Sequence, residues 1–361
     1  MTDEKKVSII VPVYNVQEYL DRFIESVLRQ SFDMKAVEII FVDDGSTDGS
    51  AGVISGYTEE HPSIKVIIKE NGGAASARNR GLETATGEYV AFLDPDDYIE
   101  KEYLEIAYSE AKEKDADIVL FDAFRECTGS DGAQTNTVVW NHALSEFTAT
   151  DRRDYESMQC QILYPYMSAR AQGVVFEKDV PLSAPWDKLY RRKFLFENNL
   201  KFPEELKVLD DMCFNFNVFG KAKKISYVPI PLYHYCVQEG TITNGYRANR
   251  PKLDMQVFEY LKEKIEGLNV PLMQQAYYAR IIKSFAICCR LCFFNRMSPL
   301  SADQQLEQVK EYMCKEPYEE AFKSVDKDLL DWKLALVTYA GMYKKPRLLK
   351  ILYVLQNLNS R

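Results

Sequence analysis

Val7 to Val13 is an almost unbroken apolar run, and beyond it Tyr19-Leu20, Phe23-Ile24 and Val27-Leu28 recur at helical spacing. The first pattern reads as a strand buried on both faces, the second as an amphipathic helix. The alternation continues with a strand over Val37 to Val42 and a helix after Gly49, then a strand over Ile64 to Ile68 and a helix from Ala74 to Thr84. Next come a strand over Tyr89 to Leu93, a helix from Glu102 to Lys114 and a further strand from Ile118 to Phe121. Parallel strands need helical crossovers, so this order predicts an α/β fold with a doubly wound, mostly parallel sheet.

The rhythm then changes. Arg125 to Asp151 is rich in Gly, Ser, Asn and Thr, which predicts a surface loop or short hairpin. Ala184 to Cys236 is mixed, with a turn at Pro185-Trp186, helices near Arg191 to Asn198 and Asp210 to Gly220, and a strand near Ile225 to Val228. From about Asn249 helical periodicity dominates. The expected organisation is one α/β domain over residues 1–248 and a helical C-terminal domain over 249–361.

Composition narrows the setting. A chain of 361 residues with 46% hydrophobic content supports a sizeable core and more than one domain. A formal net charge of -9 argues against nucleic acid as the main partner. The eight cysteines lack a paired metal-ligand spacing, and Cys288, Cys289 and Cys292 sit among apolar neighbours as buried reduced thiols would. With a polar start that lacks the organisation of a secretory signal, this predicts a cytoplasmic protein. The longest apolar stretch, Ile281 to Phe294, is interrupted by Lys283 and Arg290 and is too short to span a bilayer.

In an open α/β sheet, ligands bind beyond the carboxyl ends of the strands. Three such ends carry polar chemistry: Tyr14-Asn15, Asp43-Asp44-Gly45-Ser46-Thr47-Asp48 and Asp94-Pro95-Asp96-Asp97. Asp48 and Asp97 read equally well as helix-capping or turn residues. Clustered carboxylates repel one another, so Asp43, Asp94 and Asp96 imply a cation. Mn²⁺ or Mg²⁺ takes oxygen ligands, commonly one or two carboxylates, and leaves room for phosphate oxygens. Asn71-Gly72-Gly73-Ala74 precedes a helix, with Arg78 following at a position to face an anion or nucleotide; a glycine turn with a solvated arginine is the plain alternative.

Taken together, these segments resemble the inverting family 2 glycosyltransferases of bacterial capsular, exopolysaccharide and cell-wall glycan synthesis. The resemblance runs from Val7 to about Thr243. It rests on Val7 to Asn15, Phe41 to Asp48, Asn71 with Gly73 and Ala77 to Gly81, and Phe92 to Asp97. It implies a GT-A fold holding a UDP-sugar, with Pro12, Tyr14 and Asp43 around the uridine and Asp44, Asn71 and Arg78 on the same nucleotide side. Asp94 would then lie near the ribose and the metal, and Asp96 would coordinate Mn²⁺ or Mg²⁺ on the diphosphate. The family's Glu-Asp pair at a helix start is here Asp210-Asp211, which implies Asp211 as the base that takes the acceptor's proton, with Asp210 beside it. Trp186 and Lys188 would floor the acceptor side, whereas a core tryptophan before a basic helix start is the plain reading. Tyr233-His234-Tyr235 matches the strand that follows, where a basic residue is common after the second tyrosine and this chain has Cys236.

The resemblance implies transfer of a hexose or N-acetylhexosamine to a glycan acceptor, in all expectation lipid-linked. From Trp332 to Arg361 there is no acidic residue, while Lys333, Lys344, Lys345, Arg347, Lys350 and Arg361 accumulate beside Leu348, Leu349, Ile351, Leu352, Val354 and Leu355. A basic amphipathic helix of this kind suits the inner face of the plasma membrane; packing on its own domain or in a homo-oligomer suits it equally. Two rival functions remain on sequence. One is an aspartate-dependent phosphotransferase using Asp94 and Asp96, although that class places its pair after the first strand. The other is a noncatalytic carbohydrate-binding assembly subunit, which the acidic residues at 43, 94, 96 and 211 argue against.

Overall fold

The computed structural model describes residues 4–128, 134–143, 145–170, 182–237, 245–268 and 270–358. It divides into two compact units, Met1–Tyr155 with Asp179–Glu239, and Glu156–Lys178 with Gly240–Arg361. The sequence expectation of a single cut near Asn249 makes no provision for Glu156–Lys178 joining the helical unit.

The first unit opens as β1 (Val7–Val13), α1 (Gln17–Leu28), β2 (Val37–Asp43), α2 (Ser50–Thr58), β3 (Ile64–Ile68), α3 (Ala74–Thr84) and β4 (Tyr89–Phe92). A two-residue β5 (Tyr98–Ile99), α4 (Tyr103–Glu113) and the long β6 (Ile118–Thr128) follow. The predicted surface excursion is built as β7 (Gln134–Trp140), antiparallel to β6, and β8 (Phe147–Ala149); residues 129–133 and 144 of that stretch lie outside the described residues. Then come α5 (Arg152–Leu163), which belongs to the second unit from Glu156 onward, and, in the first unit again, β9 (Lys188–Arg191), α6 (Arg192–Glu197), α7 (Asp210–Phe219) and β10 (Ile225–Val237).

The sheet runs β3-β2-β1-β4-β9-β6-β10-β5. Its first four strands are parallel, as the sequence predicts, and β6 pairs in parallel with β10. Between those halves stands β9, antiparallel to both β4 and β6. The four residues of β9 are too few to show an alternation, which is why the sequence did not disclose the wedge. β1 and β2 are buried almost throughout, because α1 and α3 cover the sheet, with α3 brought close by Gly81, where a Cβ would lie 2.4 Å from Ile10 Cγ2. At the strand starts, Glu38 is buried with Lys65 and Ser8, each 2.6 Å away. The strand ends at the opposite edge carry the acidic turns.

The second unit is helical: α8 (Arg250–Ile265), α9 (Pro271–Cys288), α10 (Ala302–Tyr312), α11 (Tyr318–Ser324), α12 (Trp332–Met342) and α13 (Pro346–Leu358), with a π-helical turn at Cys289–Phe293. Phe285, Tyr318 and Phe322 meet in its core, with ring centroids 5.1 and 5.2 Å from Phe285. Cys288, Cys289 and Cys292 are buried there and form no disulfide. Among the described residues no helix is long and apolar enough to cross a membrane. Arg361 of the expected basic tail lies outside the described residues.

Candidate active site

β4 ends at Phe92, two residues before Asp94, and the turn Asp94-Pro95-Asp96-Asp97 hands the chain to β5. Asp97 is buried, and its carboxylate accepts from the Tyr233 hydroxyl at 2.5 Å and the Cys236 amide at 2.7 Å. It therefore ties the turn to β10, as a structural residue does. Burial, then Asp96 and Asp94, push its carboxyl well above the usual range. Asp94 and Asp96 remain at the surface of the turn, half-buried. Burial and then the neighbouring Asp94 charge raise Asp96 to about 6. The Arg22 guanidinium bonds the Asp96 main-chain carbonyl rather than its carboxylate, and lies 5.1 Å over the Tyr98 ring. Arg22 is a contributor that sequence reasoning missed, since a polar residue on an exposed helix face carries no distinguishing signal.

Arg78, on α3, is buried in this site. Its Nη2 bonds Asp94 Oδ1 at 2.8 Å and its Nη1 lies 3.7 Å from Asp210 Oδ2. Burial works against the charge, but Asp94 and Asp210 outweigh it and hold the guanidinium above its ordinary pKa. The expected nucleotide-facing arginine is thus also the link between the acidic turn and the start of α7. Its guanidinium stands 5.3 Å over the Phe202 ring, and that loop is pinned by Asn79, which bonds both the Phe202 amide and carbonyl.

Leu209 enters α7 at φ 58°, a left-handed conformation that costs a leucine about 1–3 kcal/mol. Nothing in the sequence signals it. The turn sets Asp210 and Asp211 in the first helical turn, where the helix dipole favours carboxylates. Asp211 Oδ1 accepts from the Met212 amide at 2.7 Å. Burial, then Asp210, raise Asp211 to about 6, against the lowering influence of Arg78. The structure thus brings Arg78, Asp94, Asp210 and Asp211 into one electrostatic cluster, with Asp96 coupled to it through Asp94 and Arg78.

On the strand-end side, Asp43 is buried, its Oδ1 taking the Ser46 amide at 2.8 Å, and Tyr14 is 50% exposed at the end of β1 beside partly buried Pro12. Asp48 accepts from the Ser50 amide at 3.0 Å and the Gln17 amide at 3.1 Å, and so shapes the turn that precedes α2. Asp44 departs from its expected place against the nucleotide. Its carboxylate receives Lys69 Nζ at 2.6 Å, the Gly72 amide at 2.9 Å and the Gly73 amide at 2.7 Å. The Gly72 and Gly73 amides are turned onto this internal carboxylate, with Gly73 at a φ of 96°. Asn71 stays exposed at the tip of that loop. Lys69, next to the loop, was not singled out from sequence, although a lysine following a strand beside an Asp pair is a legible complement.

The two residues expected on the acceptor side, Trp186 and Lys188, are both buried. Lys188 is fully buried, with Nζ 2.5 Å from Asp187 Oδ1 and 2.6 Å from the Ala184 carbonyl, and burial lowers its pKa. Asp187 is shared with His142, whose Nε2 lies 2.8 Å from Oδ2. The Lys188 ammonium is thus engaged within a buried cluster. Trp186 is 5% exposed and stacks on Tyr233 and Tyr235, with centroids at 4.5 and 5.6 Å. It belongs to the aromatic ladder behind the site. His234 is likewise held, between Glu126 at 2.9 Å and Glu100 at 2.8 Å, and stacked on Tyr98.

Among the described residues no three His, Cys, Asp or Glu side chains converge as a self-sufficient metal site. Asp94 and Asp96 still fit a hard cation that takes two carboxylates and completes its shell with substrate oxygens and water, since their mutual repulsion is what such an ion relieves. Fold and site together define a nucleotide-sugar transferase of the GT-A type. The glycosyl transferase family 2 profile matches residues 8–175. YibD, an uncharacterized glycosyltransferase of Escherichia coli (strain K12), is 30% identical over 71% of this chain and 68% of its own length. EpsH of Bacillus subtilis (strain 168) is 28% identical over 94% of this chain and 92% of its own. The chain belongs to glycosyl transferase family 2. The crystal structure of S. aureus TarS 1-349 in complex with UDP-GlcNAc superposes with a TM-score of 0.64 at 22% identity, covering 98% of this chain and 92% of that one, and shows the shared fold.

Proposed function

We propose that this glycosyltransferase is metal-dependent and inverting, and that it moves a hexose or N-acetylhexosamine from a UDP-sugar to a lipid-linked glycan acceptor in bacterial surface polysaccharide synthesis. The observation that carries this reading is the cluster in which the buried Arg78 guanidinium joins Asp94 to Asp210, with the neighbouring Asp96 and Asp211 carboxyls each raised to about 6. UDP and UDP-GlcNAc in the TarS structures support the choice of donor.

Tyr14, Pro12 and Asp43 border the uridine, with Asp43 toward the base. Asp44 acts one step back, by fixing the Gly72-Gly73 turn that shapes this wall. Asp96 and Asp94 would hold Mn²⁺ or Mg²⁺, which when bound neutralises the diphosphate leaving group. Arg78 orients Asp94 through its 2.8 Å bond. Asp211 takes the proton from the acceptor hydroxyl as that oxygen attacks the anomeric carbon opposite the leaving group. A carboxylate raised to about 6 is a better base than an ordinary one and is still ionised at neutral pH. Asp210 assists by raising it.

UDP release from a panel of UDP-sugars, with acceptor extract and with Mn²⁺ or EDTA, tests the reading. It expects release that stops on chelation and in Asp96→Asn; release insensitive to both would overturn the metal role. Trapping a phosphoryl group on Asp94 would favour the phosphotransferase instead.

A further inference from the structure

The helical unit contains a cleft of about 490 Å³, well within the size of small-molecule sites. One wall is apolar: Ile287 of α9, Leu334 and Val337 of α12, and Leu349 and Leu352 of α13. The charged lining is Lys283, Arg290, Lys333 and Asp331. Asp331 is spent, its carboxylate accepting from the Lys333 and Leu334 amides at 2.9 and 3.1 Å and from the Tyr164 hydroxyl at 2.8 Å. Lys283 is the opposite case. No carboxylate reaches ion-pairing distance of its ammonium among the described residues, and burial, then Arg280, lower it to about 8 against the pull of Asp331. A mostly buried ammonium without a counter-ion beside an apolar wall calls for an anion carrying an apolar chain.

The surroundings say where such a molecule comes from. Trp332 lines the cleft and is 68% exposed. Leu336, Tyr339 and Tyr343 follow it at helical spacing and are also exposed, so α12 presents an aromatic stripe continuous with the rim of the cleft. Tryptophan and tyrosine with flanking lysine is the composition of a membrane–water interface. Lys345 and Arg347 line a second surface hollow together with Lys344, which is paired with Glu319 at 3.0 Å.

We propose that this cleft binds a membrane lipid with a single phosphate head, its chain along the wall of α12 and α13 and its phosphate on Lys283. The inference concerns the helical unit alone and does not rest on the acceptor being lipid-linked. A lipid held here tethers the enzyme at the bilayer surface.

The test uses the whole chain, with Trp332 emission and equilibrium dialysis as readouts and dodecyl phosphate as the probe. Dodecyl maltoside serves as the uncharged control and inorganic phosphate as the chainless one. Dodecyl phosphate below its micelle concentration saturates the protein and binds about tenfold or more tighter than dodecyl maltoside, as one charge-assisted contact provides. Inorganic phosphate binds without saturation. Lys283→Met loses the preference for phosphate while keeping the melting temperature, Lys283→Arg retains it, and Ala286→Trp, which fills the cleft, abolishes binding of both amphiphiles. Equal affinity for the two amphiphiles, a preference that survives Lys283→Met, or saturation by inorganic phosphate alone would overturn the proposal, as would a response at Trp332 that arises only from self-association of the chain.

Discussion

Asp211 is held in a state the fold does not favour, and replacing it with asparagine separates stability from activity. Burial and the adjacent Asp210 raise its carboxyl from 3.8 to about 6. At 1.36 kcal/mol per unit this is a destabilisation of about 3 kcal/mol once the group is ionised; residual solvent contact trims it to about 2 kcal/mol. The sign follows from linkage. The folded pKa lies above the unfolded value, so the destabilisation is absent below about pH 4, grows between about pH 4 and 6, and is constant above that. Asp211→Asn should therefore unfold later than the wild type at pH 7.5, with the gap closing toward pH 4. Urea or thermal unfolding in EDTA without substrate measures this. Turnover in the same variant should fall about 10²–10⁴-fold, the usual contribution of a general base. A variant that is less stable than wild type at pH 7.5, or that keeps a tenth of its turnover, would refute the assignment.

The same chemistry makes other expectations concrete. In the wild type, kcat/KM should fall tenfold per pH unit below about pH 6, and a profile flat to pH 5 would contradict a base at Asp211. Asp44→Ala removes an acceptor shared by Lys69, Gly72 and Gly73, so it should cost about 2–3 kcal/mol in urea unfolding and raise the donor KM. Trp186→Phe should keep acceptor KM nearly unchanged, whereas Trp186→Ala should lose about 3–5 kcal/mol of stability; a large acceptor KM effect with intact stability in Trp186→Phe would return Trp186 to the acceptor side.

The alternation that places β1 to β4 and α1 to α4 is plain in the sequence because buried parallel strands and amphipathic helices leave distinct periods. Asp94 and Asp96 are legible for a related reason, since strand ends converge in this architecture, whereas Asp210 and Asp211 are expected only through the family resemblance, a helix-start carboxylate having an ordinary dipole explanation. What the chain did not disclose is which of two like residues does which task. Asp43 and Asp44 are adjacent and identical in chemistry, and only the Gly72 and Gly73 amides reveal that Asp44 serves the backbone. Trp186 and Lys188 have residue types common at sugar sites. Their fate is set by β9 being wedged antiparallel between β4 and β6, a long-range pairing that four residues cannot announce. From periodicity β10 is legible only to Val228, because Pro229 and Pro231 break the alternation where the strand carries a register shift; its Tyr233-His234-Tyr235 part is expected only through the resemblance.

The central claim is that Asp211 receives the acceptor proton during a single displacement at the anomeric carbon. The most direct measurement is the anomeric configuration of the product, by proton NMR, from whichever α-linked UDP-sugar is turned over with Mn²⁺. The account predicts a β-linked product that is lost with Asp211→Asn, and an α-linked product would contradict it.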